Sequence, residues 1–173
     1  MGTGNDAAAE FRTPSTAAFD VFYDDAMPIV YGYLVRLCGG DTEQAWDLTQ
    51  DTWVAVVDQL QRGRSDCTTV PFVLTIARSR FLDMWRRKQR LQRKLRLVWA
   101  ADRQRDGAAP SRESVLDHVA ACSPRHRMAL MMAYVDDMPV AQIAEQLGCS
   151  PASAYALLAK ARDELRSQIT GDR

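Results

Sequence analysis

Seven cationic side chains crowd into eleven residues: Arg86, Arg87, Lys88, Arg90, Arg93, Lys94 and Arg96. Cations at that density do not perform covalent chemistry. They bind a polyanion, and the stretch before them says how they would be held. Over Phe72–Arg90 (FVLTIARSRFLDMWRRKQR), Val73, Ile76, Ala77, Phe81, Met84 and Trp85 recur at three- and four-residue spacing. That is one broad apolar face of a helix, with Arg80 falling on it as an exception. Beyond Trp85 the charges run round the helix. A helix buried along one half and cationic on the other is suited to lying against a polyanion; a solvated, charged helix end is the plainer alternative. Asp83 stands three and four residues before Arg86 and Arg87 and can pair with either.

Other chemistries find little support. The four cysteines (Cys38, Cys67, Cys122, Cys149) lie far apart without metal-ligand spacing, and there are only two histidines. Buried thiols fit a chain with this much aliphatic core better than a disulfide framework or a metal site. No glycine loop fit to cradle phosphate and no nucleophile–base pair is present, so the reading is of a non-enzyme without cofactor or metal. No apolar run reaches the length of a membrane span and no signal-peptide core opens the chain, which points to a cytoplasmic protein with no membrane insertion.

The formal net charge is zero over 173 residues, but it is unevenly spread. Residues 1–60 carry 2 basic and 10 acidic groups (net −8), and residues 78–105 carry 11 and 2 (net +9). An acidic first third and a basic middle imply two different partners.

Stepping along the chain, residues 1–15 are rich in Ala, Gly, Thr and Asp and read as a flexible tail. From Thr16, the residues Phe19, Phe22, Tyr23, Val30, Tyr33, Leu34 and Leu37 mark a helix, or two pieces hinged at Pro28, stopped by Gly39-Gly40. Asp41 or Thr42 caps a second helix, with Ala45, Leu48, Thr52, Val56 and Leu60 on one face. Gln61–Thr69 is a polar loop, and Pro71 suits the first turn of the central helix. Leu91, Leu95 and Val98 continue an apolar seam. Asp106–Arg112 then breaks the pattern, so a linker is set at 101–113, between helical domains at 16–100 and 114–170.

The second domain opens with a short helix over Ser114–Ala121. Ser123-Pro124 starts another, which carries Met128, Leu130, Met131, Tyr134 and Val135, its methionines read as core filling. Val140–Ile169 reads as helix, tight turn, long helix. Gly148 supplies a left-handed turn, and Ser150 with Pro151 makes a specific helix start. Small Ala144, four residues before Gly148, allows the close crossing of a helix-turn-helix, a plain helical hairpin being the alternative. Ala154, Leu157, Leu158, Ala161 and Leu165 form the buried stripe of the second helix. The fold class is therefore all-α, in two small helical domains.

The order of these features resembles bacterial RNA polymerase sigma factors of the extracytoplasmic-function (ECF) group, in the sigma-70 family, over about Phe19 to Ile169. Asp47-Leu48-Thr49-Gln50-Asp51-Thr52-Trp53 is similar to the family's D-L-V-Q-E-T-F segment, which docks on the clamp helices of the polymerase β′ subunit. Thr75-Ile76-Ala77-Arg78-Ser79, Asp83 and Arg86-Arg87 resemble the T-I-A-R-N…D…R-R segment that melts and holds the promoter −10 element. Val140–Arg162 resembles the domain that reads the −35 element. The resemblance implies a dissociable promoter-specificity subunit that binds core RNA polymerase (β′ clamp and β flap) and promoter DNA, with an anti-sigma factor as a further partner. It assigns Asp47, Leu48, Gln50, Asp51 and Trp53 to core polymerase. It gives the −10 element to Arg62, Arg64, Phe72, Arg78, Ser79, Arg80, Arg86, Arg87 and Arg90. For the −35 element it implies Arg125, Arg127, Ser150, Ala152, Ser153, Tyr155, Ala156, Lys160 and Arg162.

The chain departs from the pattern in places. Phe72 stands where the family usually has Trp, and Ser79 where it has Asn. In the recognition helix Tyr155 and Leu157 replace a Lys and an Arg. A surface of Ala152, Tyr155 and Ala156 can touch thymine methyls but makes few hydrogen bonds to bases. A stand-alone helix-turn-helix regulator would leave the acidic Asp47–Asp51 face and the Phe72–Arg90 helix unexplained; a helical interaction protein whose weak recognition helix has lost DNA reading is a further alternative.

Overall fold

The computed structural model describes residues 16–64, 67–96 and 115–170. Among these, seven helices follow one another: α1 (Thr16–Cys38), α2 (Thr42–Gln61), α3 (Val70–Arg96), α4 (Val115–Ala121), α5 (Pro124–Tyr134), α6 (Val140–Leu147) and α7 (Pro151–Thr170). The tail expected at 1–15 and the linker expected at 101–113 lie outside the described residues, as does Val98.

Helices α1, α2 and α3 pack mutually into one unit, and α4 to α7 into another, in which α7 touches α4, α5 and α6. The first helix is continuous through Pro28, not hinged there. Pro28 and Asp24, whose carbonyl the proline leaves without an amide donor, are both exposed, so water can take that donor's place. Gly39 and Gly40 turn the chain in left-handed geometry (φ 72° and 88°), and their amides donate to the Arg36 and Val35 carbonyls. Asp41 then caps α2, its Oδ1 accepting from the Gln44 amide at 3.0 Å.

Ala45, Leu48, Thr52 and Val56 face the core as their spacing predicts, and Trp53 joins them. Thr49 and Thr52 are buried without cost in unmet polarity, because their hydroxyls donate to the Ala45 and Leu48 carbonyls at 2.7 Å. Phe19, Phe22 and Tyr23 ring Trp53 at centroid separations of 6.3, 6.0 and 4.7 Å, fixing α1 across α2.

Six successive residues of α5, Arg127 to Met132, are buried. A helix buried on every side lies at the centre of its unit, and the adaptable methionines fill the space around it. Tyr134 and Val135, the last apolar residues of that series, are 62% and 43% exposed, because the helix ends at Tyr134. Leu91, expected to continue the apolar seam of α3, is likewise exposed, and the side chain of Leu95 lies outside the described residues. Cys38, Cys67 and Cys122 are buried, Cys149 is half-buried, and all four are free thiols.

Candidate nucleic-acid interface

The 27-residue α3 spans about 40 Å at 1.5 Å per residue. Val73, Ala77, Phe81 and Leu82 bury its first half, while Arg87, Lys88 and Arg90 stand exposed along the second. Arg80 is exposed too, and so does not lie on the apolar face where its spacing placed it. Side chains of Arg93, Lys94 and Arg96 are outside the described residues. Asp83 pairs with Arg86 at 3.4 Å, one of the two partners its spacing allows.

Where α2 meets α3, a cleft of about 260 Å³ is lined by Ala55, Gln59, Arg64, Phe72, Ile76, Ser79, Arg80 and Asp83. It brings together five residues singled out from sequence: Arg64, Phe72, Ser79, Arg80 and Asp83. The Arg64 guanidinium lies 5.6 Å from the Phe72 ring centre, a cation–π arrangement that closes one end of the cleft. The cleft offers a flat aromatic wall with cations and a hydroxyl beside it, which is the chemistry of a pocket for an unstacked base. Arg62 is exposed and pairs with Asp58 at 3.0 Å, one turn back on α2.

Nearer the start of α2, Asp47, Gln50 and Asp51 are exposed. Leu48 and Trp53, assigned to a polymerase-facing surface, are each only 6% exposed and belong to the core. The heptapeptide spans two helical turns, so part of it must face inward whatever the rest does. Sequence reasoning missed Trp46 (44% exposed) and Val54 (70%), which lie on the same outer face as the two aspartates. The spacing 43, 46, 47, 50, 51, 54 would have found them.

The helix-turn-helix forms as its residues require. Gly148 is left-handed (φ 61°, ψ 43°), and the Cys149 amide donates to Ala144 at 2.9 Å. Ala144 is 1% exposed at the crossing. Ser150 caps α7 by accepting from the Ser153 amide at 3.2 Å, and the two serine hydroxyls are 2.9 Å apart. Ala152, Ser153, Tyr155, Ala156, Lys160 and Arg162 are exposed on α7, and Arg125 is exposed on α5. Ala154, Leu158 and Ala161 are buried, with Leu157 and Leu165 partly so.

Arg127, expected to contact phosphate, does something else. It is 7% exposed, and its guanidinium donates to the carbonyls of Leu37 (2.8 Å), Ala120 (2.6 Å) and Cys122 (3.2 Å). Those carbonyls close α1 and α4, so one cation satisfies the ends of two helices. Gly39 makes room for it, since a Cβ there would come within 2.3 Å of the guanidinium. Burial lowers the Arg127 pKa from its ordinary value. Nearby, Glu164 of α7 accepts from the Ser123 amide and hydroxyl at 2.9 and 3.0 Å and pairs with His126. Burial would raise its pKa, but the His126 and Ser123 hydrogen bonds bring it below the ordinary carboxylate value.

Arg78, assigned to the −10 element, is engaged within the chain. Its guanidinium forms an ion pair at 2.8 Å with Asp136, in the turn between α5 and α6, and both side chains are largely buried. The Tyr33 hydroxyl donates to the same carboxylate oxygen at 2.9 Å. Burial foremost, with the adjoining carboxylate, pushes the Tyr33 pKa far above its ordinary value, so it stays a donor.

Residues 22–91 match the family model described as Sigma-70 region 2, and residues 116–165 match that of Sigma-70, region 4. The chain is 26% identical over 163 residues to the RNA polymerase sigma factor CarQ of Myxococcus xanthus, covering 92% of this chain and 93% of that protein. Among solved structures, it is similar in fold to that of the sigma factor RpoE in complex with the anti-sigma factor NepR from Bartonella quintana. The TM-score there is 0.56 at 18% identity, over 90% of this chain and 99% of that one. With both regions matched in order, and an acidic helix face, a cationic helix and a helix-turn-helix built within them, the chain belongs to the sigma-70 family, as an RNA polymerase sigma factor of the ECF type.

Proposed function

We propose that the chain works as a cytoplasmic, non-catalytic subunit that gives core RNA polymerase its promoter specificity, with its tasks divided among the surfaces described. The outer face of α2, with Asp47, Gln50 and Asp51, meets basic groups of the polymerase, and Trp46 and Val54 add apolar contact. Leu48 and Trp53 act beneath it, holding the face in place. Arg87, Lys88 and Arg90 on α3 follow a DNA backbone, and the Arg64–Phe72 cleft receives an unpaired base of the −10 element. Arg62, Arg78, Ser79, Arg80 and Arg86 complete that surface. In the second unit α7 enters the −35 groove through Ala152, Ser153, Tyr155 and Ala156, with Ser150, Lys160, Arg162 and Arg125 against phosphates. The domain division at 16–100 and 114–170, joined by a linker at 101–113, is part of this reading, and so is an anti-sigma partner like the one bound to the Bartonella protein.

The observation that carries this reading is the charge separation on one three-helix unit. Exposed carboxylates line α2 while exposed cations line α3, so polymerase and DNA can be held at once without competing. Reconstitution with core polymerase tests it. The parent chain should direct a defined start site. Asp47→Lys with Asp51→Lys should weaken binding to core roughly tenfold or more, like-charge contact costing several kcal/mol. Unchanged binding of a folded double variant removes the α2 assignment.

A further inference from the structure

Besides the packing of α1 against α4 and α5, polar contacts join the two units at three places among the described residues, and two of these engage cations of α3. Asp136 pairs with Arg78 at 2.8 Å and accepts from Tyr33, 103 residues away in sequence, at 2.9 Å. Arg86 donates at 2.5 Å to the carbonyl of Gln146, in the last turn of α6. Arg127 of α5 holds the Leu37 carbonyl of α1.

The turn that presents Asp136 is a fixed one. Its amide donates to the Met131 carbonyl at 3.0 Å, and the Met138 amide to Met132 at 2.9 Å. Asp137 between them is left-handed at φ 48°, a conformation that aspartate tolerates better than most side chains. The side chains of Arg78 and Asp136 retain only 12% and 6% exposure. A buried pair of this kind survives because each charge answers the other and a hydroxyl completes the carboxylate's bonding.

A carboxylate and a helix-end carbonyl offer cations what a phosphate offers: concentrated negative charge and acceptor oxygens. We propose that Asp136 is an internal stand-in for DNA phosphate, which occupies Arg78 while α6 occupies Arg86, so that the free chain is closed over its own −10 surface. Resting on the functional reading above, this adds how that surface is regulated. Arg78 cannot serve Asp136 and a nucleic acid together, so promoter engagement requires the α5–α6 turn to leave. Arg87, Lys88 and Arg90 stay exposed throughout, and the closed chain keeps a weak, unselective attraction for DNA.

The test uses the full-length chain and a fluorescent single-stranded oligonucleotide bearing the non-template −10 segment, defined by start-site mapping with core polymerase. Asp136→Asn keeps an acceptor for Tyr33 but removes the charge. It should bind the oligonucleotide roughly tenfold more tightly than the parent, a coupling of ordinary size, and its radius of gyration in X-ray scattering should rise. With core polymerase it should use the parent's start site. Tyr33→Phe, which removes one hydroxyl and leaves the charges, should shift both readouts the same way by less, and it serves as the test if the Asn variant does not fold. Parent initiation with unchanged oligonucleotide affinity and unchanged compactness in the folded variants overturns the closure. Failure of the parent to initiate with core polymerase overturns the functional reading instead, whatever the oligonucleotide shows.

Discussion

Arg125 and Arg127 flank one histidine, and a list of basic residues treats them alike. On α5 they differ completely, one exposed and the other threaded between the ends of α1 and α4. The difference comes from packing on every side of α5, and its only trace in sequence is the absence of a polar face over residues 127–132. Ser123 is similar. Its place before Pro124 marks the helix start correctly, yet its hydroxyl makes no cap bond to its own helix and goes to Glu164, 41 residues on. At this scale a pH effect follows. Glu164 titrates lower when folded than unfolded, so it binds a proton more readily in the unfolded chain. Its contribution is then complete above the ordinary carboxylate pKa and is lost as pH falls through the lowered folded value. Glu164→Gln should therefore flatten the acid limb of the stability curve while costing stability at pH 7. Urea midpoints measured from pH 7 down to pH 3 would show a parallel pair of curves if the carboxylate plays no such part.

Elements were more legible than residues. Helix starts and stops are local, and Asp41, Gly39-Gly40, Gly148 and Ser150-Pro151 all do what their residue types allow. Apolar spacing found the buried faces of α2, α3 and α7. It failed at ends, where Tyr134, Val135 and Leu91 continue a pattern that the fold no longer uses. The α2–α3 cleft was legible in part, since the loop and Phe72 are neighbours in sequence. The α7 surface follows from its spacing and leads to a paired expectation. Tyr155 is 62% exposed, so Tyr155→Lys should leave stability within about 0.5 kcal/mol. It should tighten non-specific duplex binding and steepen its log–log salt dependence by about 0.9 for one added phosphate contact. Leu157 packs against the core, so Leu157→Arg should lower stability by about 1–3 kcal/mol without that gain. Titrations at several salt concentrations, beside thermal melts, separate the two; a steeper slope for Leu157→Arg would place that side chain on the DNA face.

The joining of the two units lay beyond the reach of sequence. Asp136 meets Tyr33 across 103 residues and Arg86 meets Gln146 across 60, and neither spacing carries a periodic signal. Charge counts could say that the N-terminal third is acidic and the middle basic, but not that one acidic residue of the C-terminal unit would sit on a cation of the first. The same junction shelters the thiols that spacing alone left idle. Burial pushes Cys38 up to about 12 and Cys122 up to about 11, and the carbonyls of Leu37 and Cys122 are held by the one Arg127 guanidinium. Protonated and covered, both should resist alkylation at neutral pH. Half-buried Cys149 should react first, and Cys67, wholly buried beside the α2–α3 loop within the first unit, supplies an internal standard. The chain thus carries its own clock. Under iodoacetamide followed by mass spectrometry, Cys38 and Cys122 should be modified faster in Asp136→Asn than in the parent, at unchanged Cys67 and Cys149 rates, and the ratio of slow to standard thiols would time each separation of the two halves.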